Sequence, residues 1–219
     1  MNRWSALVVG LAVVFAACTG TPDVVEVEPD DPSESAEGVL AVVLDALRSQ
    51  DAAPIAAVTD LTQIPLLALA EGTAVRQVAG FSNSDRSAVA ANFWSGFIGQ
   101  LESSLGSGLR QLRSGELERS ETEGVRFAAV DLVVTSSDPR RLVLRETESG
   151  WVLDLIASFA SPLVGLIPDV AQTMRVFGDA TLLEDLRGYE PSVRFILDDV
   201  GTNPLLDQAA IAALESVIR

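Results

Sequence analysis

VRFAAVDLVVTSSDPRRLVLRETESGWVLDL, residues 125–155, is the stretch that decides the fold. Val125, Phe127 and Ala129 alternate with Arg126, Ala128 and Val130, and the apolar run continues through Leu132 and Val134. A period of two places successive side chains on opposite faces of a strand. Ser137-Asp138-Pro139 supplies a turn, Arg141 to Glu146 returns, Ser149-Gly150 turns again, and Trp151, Leu153 and Leu155 line one face of the next strand. The reading is an antiparallel meander of three strands, with a fourth from Leu109 to Glu118. Four such strands need a covering layer.

The cover is sought upstream, in a helix from about Asp85 to Leu105 with Ser82 or Ser84 as N-cap and Gly106 as its stop. Val89, Phe93, Phe97, Leu101 and Leu105 step by four and join Trp94 and Ile98 in an apolar arc of roughly 180°. So broad an arc implies two neighbours, a sheet and another helix. It puts Phe97 near the middle of the stripe and Trp94 toward its edge. The opposite arc carries Gly96 and Gly99, which fit either close approach of another backbone or an exposed, weak helix.

Val39, Leu40, Val43, Leu44 and Leu47 predict an opening helix over 37–49, interrupted by Gln50, Asp51 and Pro54, and a helical or mixed segment follows over 55–70. Residues 155–167, nearly uncharged, read as strand end plus buried connection. Helices are expected over 168–177, 180–187 and 191–200, each closing at a glycine, and a last one follows Asn203-Pro204. The fold class is therefore α+β: an antiparallel sheet of about four strands packed on a long helix, with additional C-terminal helices. Residues 37–160 form a roll-like α+β domain, and 161–219 a helical extension packed on it.

The order helix, helix, long helix, then strands ending in Glu148-Ser149-Gly150-Trp151-Val152-Leu153-Asp154-Leu155 resembles the cystatin-like roll of nuclear-transport-factor-like proteins. The similarity covers residues 37 to 157. It implies a curved sheet wrapped around the long helix as a cone that often holds an apolar pocket, here drawing on Phe93, Trp94, Phe97 and Trp151. Plain core packing is the other reading of those four aromatics. The C-terminal helices lie outside the pattern, filling or capping the cone.

At the other end, Arg3 is followed by an unbroken apolar or small run from Ala6 to Ala17, too short for the roughly 20 residues a membrane span needs. Phe15-Ala16-Ala17-Cys18 resembles the lipobox of bacterial lipoproteins, with Phe15 where that family prefers Leu, Val or Ile. The resemblance implies a signal peptide over 1–17, cleavage before Cys18, and lipid, palmitate included, on that cysteine. The protein would then sit at the outer face of the membrane, in the cell envelope. Plain secretion after cleavage at Ala17 is the alternative. Residues 18–36, rich in Asp, Glu, Pro and Ser, read as an acidic tether with nothing to give a core.

Composition narrows the chemistry. The 219 residues carry a net charge of −16, which opposes nucleic acid as a partner. Arg140, Arg141 and Arg145, flanked by Asp138 and Glu146, read as a solvated turn. All fifteen basic residues are arginine and there is no histidine. No imidazole is available for a catalytic triad or a zinc site, and no lysine for a Schiff base. The one cysteine, Cys18, cannot form an intramolecular disulfide. An enzyme here would rely on carboxylates, such as Asp131 or Asp154 turned inward to raise its pKa. The expectation is a non-catalytic envelope module, without metal or cofactor, that binds a small apolar ligand or a partner protein. An assembly role beside another envelope protein is the alternative, and a carboxylate-based hydrolase comes third.

Overall fold

In the computed structural model, which describes residues 31–133, 140–177, 180–198 and 204–218, strands β1 (Arg113–Ser114), β2 (Glu118–Thr122), β3 (Val125–Val133), β4 (Arg140–Thr147) and β5 (Gly150–Leu153) form one antiparallel sheet. Helices precede it as α1 (Ala36–Ser49), α2 (Ala52–Ala57), α3 (Ile64–Ala70), α4 (Val75–Val78) and α5 (Asn83–Leu105). They follow it as α6 (Leu155–Phe159), α7 (Ser161–Val164), α8 (Ile167–Phe177), α9 (Ala180–Arg187), α10 (Glu190–Asp198) and α11 (Pro204–Ile218). The class is α+β. The expected signal peptide, Cys18 and the turn expected at Ser137–Pro139 lie outside the described residues.

β3 is the centre of the sheet. On one side it pairs with β4, Phe127 opposite Arg145 and Asp131 opposite Arg141. On the other it pairs with β2 through Thr122 and Val125 and with β1 through Arg113 and Val133. The fourth strand read at 109–118 is thus displaced. Residues Gly106–Gln111 coil into a 3-10 turn that buries Leu109 completely, and strand pairing starts beyond it. Glu123 and Gly124 make the β2–β3 turn with φ of 53° and 77°, the two positive values a type I′ hairpin requires.

Phe127 to Val130, and again Leu142 to Arg145, are buried without a break. Unbroken burial means that both faces of the sheet are covered, where period-two alternation alone leaves one wet. On the Ala128–Leu144–Leu153 face lies α1, whose Glu37 pairs with Arg119 of β2. On the Phe127–Arg145 face lies α10, with Phe195 stacked on Phe127 at 4.6 Å. The C-terminal helix α10 therefore covers this face of the sheet.

α5 does not take the place the periodicity gave it: it packs on α2, α3 and the 3-10 turn after it. Its capping is as read, with the Ser82 hydroxyl accepting from the Asp85 N–H and the Asp85 carboxylate accepting from the Ser82 N–H. Gly96 and Gly99 face open space, so the exposed reading of that arc holds. Where a strand end was expected after Leu155, Leu155–Phe159 and Ser161–Val164 are helical, because Asp154 accepts the Ala157 N–H at 2.8 Å and starts α6 at once.

The last residues of the stretch expected as a tether, 31–36, belong to the folded unit. Pro32–Glu34 is a 3-10 turn, Ser35 caps α1 by accepting the Gly38 N–H at 3.0 Å, and Ala36 is core. Gly150, at φ 116°, lies so close to Ser33 that a Cβ would come within 2.6 Å of its carbonyl oxygen. From Asp31 onward the chain is one compact unit.

Candidate functional site

The groups with the most chemistry are buried together. Arg145, read as part of a solvated turn, is 7% exposed on the Phe127 face of β4. Its guanidinium pairs with Asp60, donates to the Gly188 carbonyl at 2.5 Å and lies 3.4 Å from Asp154. Asp154, at the end of β5, is 0% exposed and accepts from Ser192 of α10 at 2.5 Å as well as from the Ala157 N–H. Asp60 follows a short parallel bridge in which Thr59 extends the β5 edge, and it accepts from both the backbone and the hydroxyl of Thr62.

A second pair adjoins the first. Arg86 of α5 meets Asp185 of α9 in a two-pronged contact at 3.0 and 2.7 Å and reaches the Leu61 carbonyl. The Tyr189 hydroxyl donates to the Thr62 carbonyl at 2.8 Å, and the Gln63 side-chain oxygen accepts from the N–H groups of Leu155 and Ile156. Burial pushes the Asp154 carboxyl up, against the pull of Arg145, and lifts the Tyr189 hydroxyl well above its ordinary value. Burial also opposes the charge on Arg145, but Asp154 and Asp60 outweigh it and keep the guanidinium ionised. These residues join α9 and α10 to the β4–β5 edge and to α5. Their oxygens are occupied, so the arrangement holds helices in place and offers no exposed acid or base.

Asp131 is elsewhere: its side chain is 45% exposed, 3.9 Å from Arg141, which also donates to Glu118 at 2.9 Å. The structure thus does not bring the two candidate acids to one accessible place.

Of the four aromatics proposed for a pocket, three meet. Phe93, Trp94 and Phe97 form a cluster with Phe159 of α6, ring centres 5.1–6.3 Å apart. Trp151 is buried in the sheet and belongs to no such cluster among the described residues. The helix phase needs correction: Trp94 is the core residue, fully buried, whereas Phe93 and Phe97 are half-buried. Trp94 can be enclosed because its indole N–H donates to the Thr59 hydroxyl at 2.9 Å. Arg86, Ala90, Trp94 and Ile98 are buried at a step of four, displaced from the phenylalanine line by one residue, and of that line only Leu101 is buried with them. Counting Arg86 into the stripe would have found that step, but an arginine reads as polar until its partner, 99 positions away, is known.

A cleft of about 280 Å³ opens between β2 and α10, with Ser120, Thr122 and Ala129 on one wall and Phe195 and Asp198 on the other. Among the described residues no His, Cys, Asp or Glu cluster is placed to hold a metal ion. Compared with family models, curated proteins and solved structures, the chain matches none.

Proposed function

We propose that this chain is a non-catalytic lipoprotein module of the bacterial cell envelope, tethered through Cys18, that docks an apolar ligand or partner on the rings of Phe93, Phe97 and Phe159. The observation that carries the reading is that three phenylalanines stand half-buried beside the enclosed, hydrogen-bonded Trp94, Phe93 stacked on Phe97 and Phe159 edge to face with both. Clustered aromatics on a fixed base bind with little loss of side-chain freedom. Tethering rests on Phe15-Ala16-Ala17-Cys18 and the apolar run before it. The non-catalytic part is supported by Asp154, enclosed by Arg145 and Ser192, because a general acid must touch its substrate.

The test is a photo-crosslinking amino acid at position 97 in living cells, with position 176 as control, since Val176 is 75% exposed and outside the cluster. A discrete adduct from 97 alone, resolved by mass spectrometry into lipid or protein, is the expected result. Equal, diffuse labelling from both positions would remove the ring cluster from the proposal.

A further inference from the structure

Among the described residues β2 has a partner on one side only: it pairs with β3. Glu118, Arg119, Ser120 and Glu121 are all exposed, on both faces of the strand. The pairing register says which backbone groups point outward. Thr122 and Val125 close a two-residue type I′ turn and are therefore a hydrogen-bonded pair, and such pairs alternate along an antiparallel ladder. Ser120 and Glu118 bond inward to β3, and the N–H and C=O of Arg119 and Glu121 face away from the sheet. Among the described residues nothing bonds to those four groups.

The side chains on the same strand read the same in both directions. Laid antiparallel on itself about Ser120, the segment Glu118-Arg119-Ser120-Glu121-Thr122 sets Arg119 opposite Glu121, and Glu121 opposite Arg119. The residues so opposed are those with outward backbone groups, so each would form a hydrogen-bonded pair, with Ser120 facing its own copy across a non-hydrogen-bonded one. Opposite charges directly across a ladder stabilise the pairing, and like charges oppose it. Exposed edges are commonly kept from pairing by charged side chains or by proline. This edge has no proline, and the charges it carries at Arg119 and Glu121 match their own image instead of opposing it.

We propose that two copies of this chain associate by antiparallel pairing of β2 with β2 across a two-fold axis at Ser120, making one continuous sheet through the dimer. Such an interface is isologous and closes on itself, so it stops at two. The Arg119–Glu37 pair lies on the α1 face of the strand and leaves the backbone edge free.

The test uses the full chain carrying Cys18→Ser, which removes its single thiol and the lipid site. At a non-hydrogen-bonded pair the Cα atoms lie about 4.5 Å apart, within the span of a disulfide. Ser120→Cys in that background is expected to form a covalent dimer under mild oxidation at least tenfold faster than Ser103→Cys, an exposed control on α5. Sedimentation gives the second arm. Arg119→Glu places Glu against Glu, and Glu121→Arg places Arg against Arg, so each variant alone is expected to weaken dimerisation at least tenfold. Mixed in equal amounts the two variants are complementary and should recover the dimer as a heterodimer. Crosslinking at 120 no faster than at 103, a monomer at every concentration, a dimer indifferent to the charge reversals, or a mixture that fails to recover would each overturn the proposal.

Discussion

Trp94 and Phe97 differ in one respect that decides their energetics: the first is enclosed with its N–H satisfied, the second is half-buried. Truncating an enclosed aromatic leaves a cavity and costs about 3–5 kcal/mol, and a partly exposed one costs less. Trp94→Ala is therefore expected to lower the melting temperature more than Phe97→Ala, the reverse of the order the bare periodicity gives. Equal losses in thermal melts would show the two rings to be equivalent. Asp154 carries a pH signature. Its carboxyl is raised by burial, so the folded chain holds that proton more firmly than the unfolded one. A group raised in the folded state contributes stability at low pH and loses it as the pH climbs through its folded value. Relative to Asp154→Asn, the natural chain should thus gain stability as acid is added. Asp85 works the other way, its carboxyl held down by the side chain and backbone of Ser82, and its contribution fades in acid. Urea unfolding of both chains across the acid range isolates the Asp154 component, and a difference that shrinks on acidification would refute its assignment.

At the scale of elements, what was legible is what depends on near neighbours. The β3–β4–β5 meander, the cap and stop of α5 and the glycine after α9 follow from local spacing and turn chemistry. What was not legible depends on a distant partner. Arg145 joins the core only because Asp60 lies 85 positions before it, and the Phe127 face of the sheet is dry because α10 arrives from beyond residue 189. Removing one partner of a buried ion pair strands the other charge and costs about 3–5 kcal/mol. Arg145→Met is expected to lose that much, and the triple variant with Asp60→Asn and Asp154→Asn to regain most of it; no regain would mean that the loss lies in packing. At the start of α1 the effect is smaller. A chain beginning at Glu37 lacks the Ser35 cap, worth about 1 kcal/mol, and should melt about 2–4 °C below one beginning at Asp31. Identical melts would return Asp31 to Ala36 to the tether.

For the whole molecule the governing quantity is charge. The net −16 includes Arg3, the one charged residue before Cys18, so the chain from Cys18 onward carries −17. Anionic headgroups repel such a domain, and among the described residues no helix is long and apolar enough to cross a membrane. In the proposed function, membrane attachment then falls to lipid on Cys18. A single acyl chain holds only marginally, whereas two or more hold firmly. Cys18→Ser, with residues 1–17 exchanged for a secretory leader whose cleavage does not need that cysteine, is therefore expected to move the protein from the membrane fraction to the soluble fraction, while the natural chain stays with the membrane through a high-salt wash. Salt distinguishes the possible causes of retention, since it screens surface charge and leaves acyl burial untouched. Such a variant that resisted the wash after losing the run from Ala6 to Ala17 would be held by apolar burial elsewhere in the chain, and tethering through Cys18 would have to be given up.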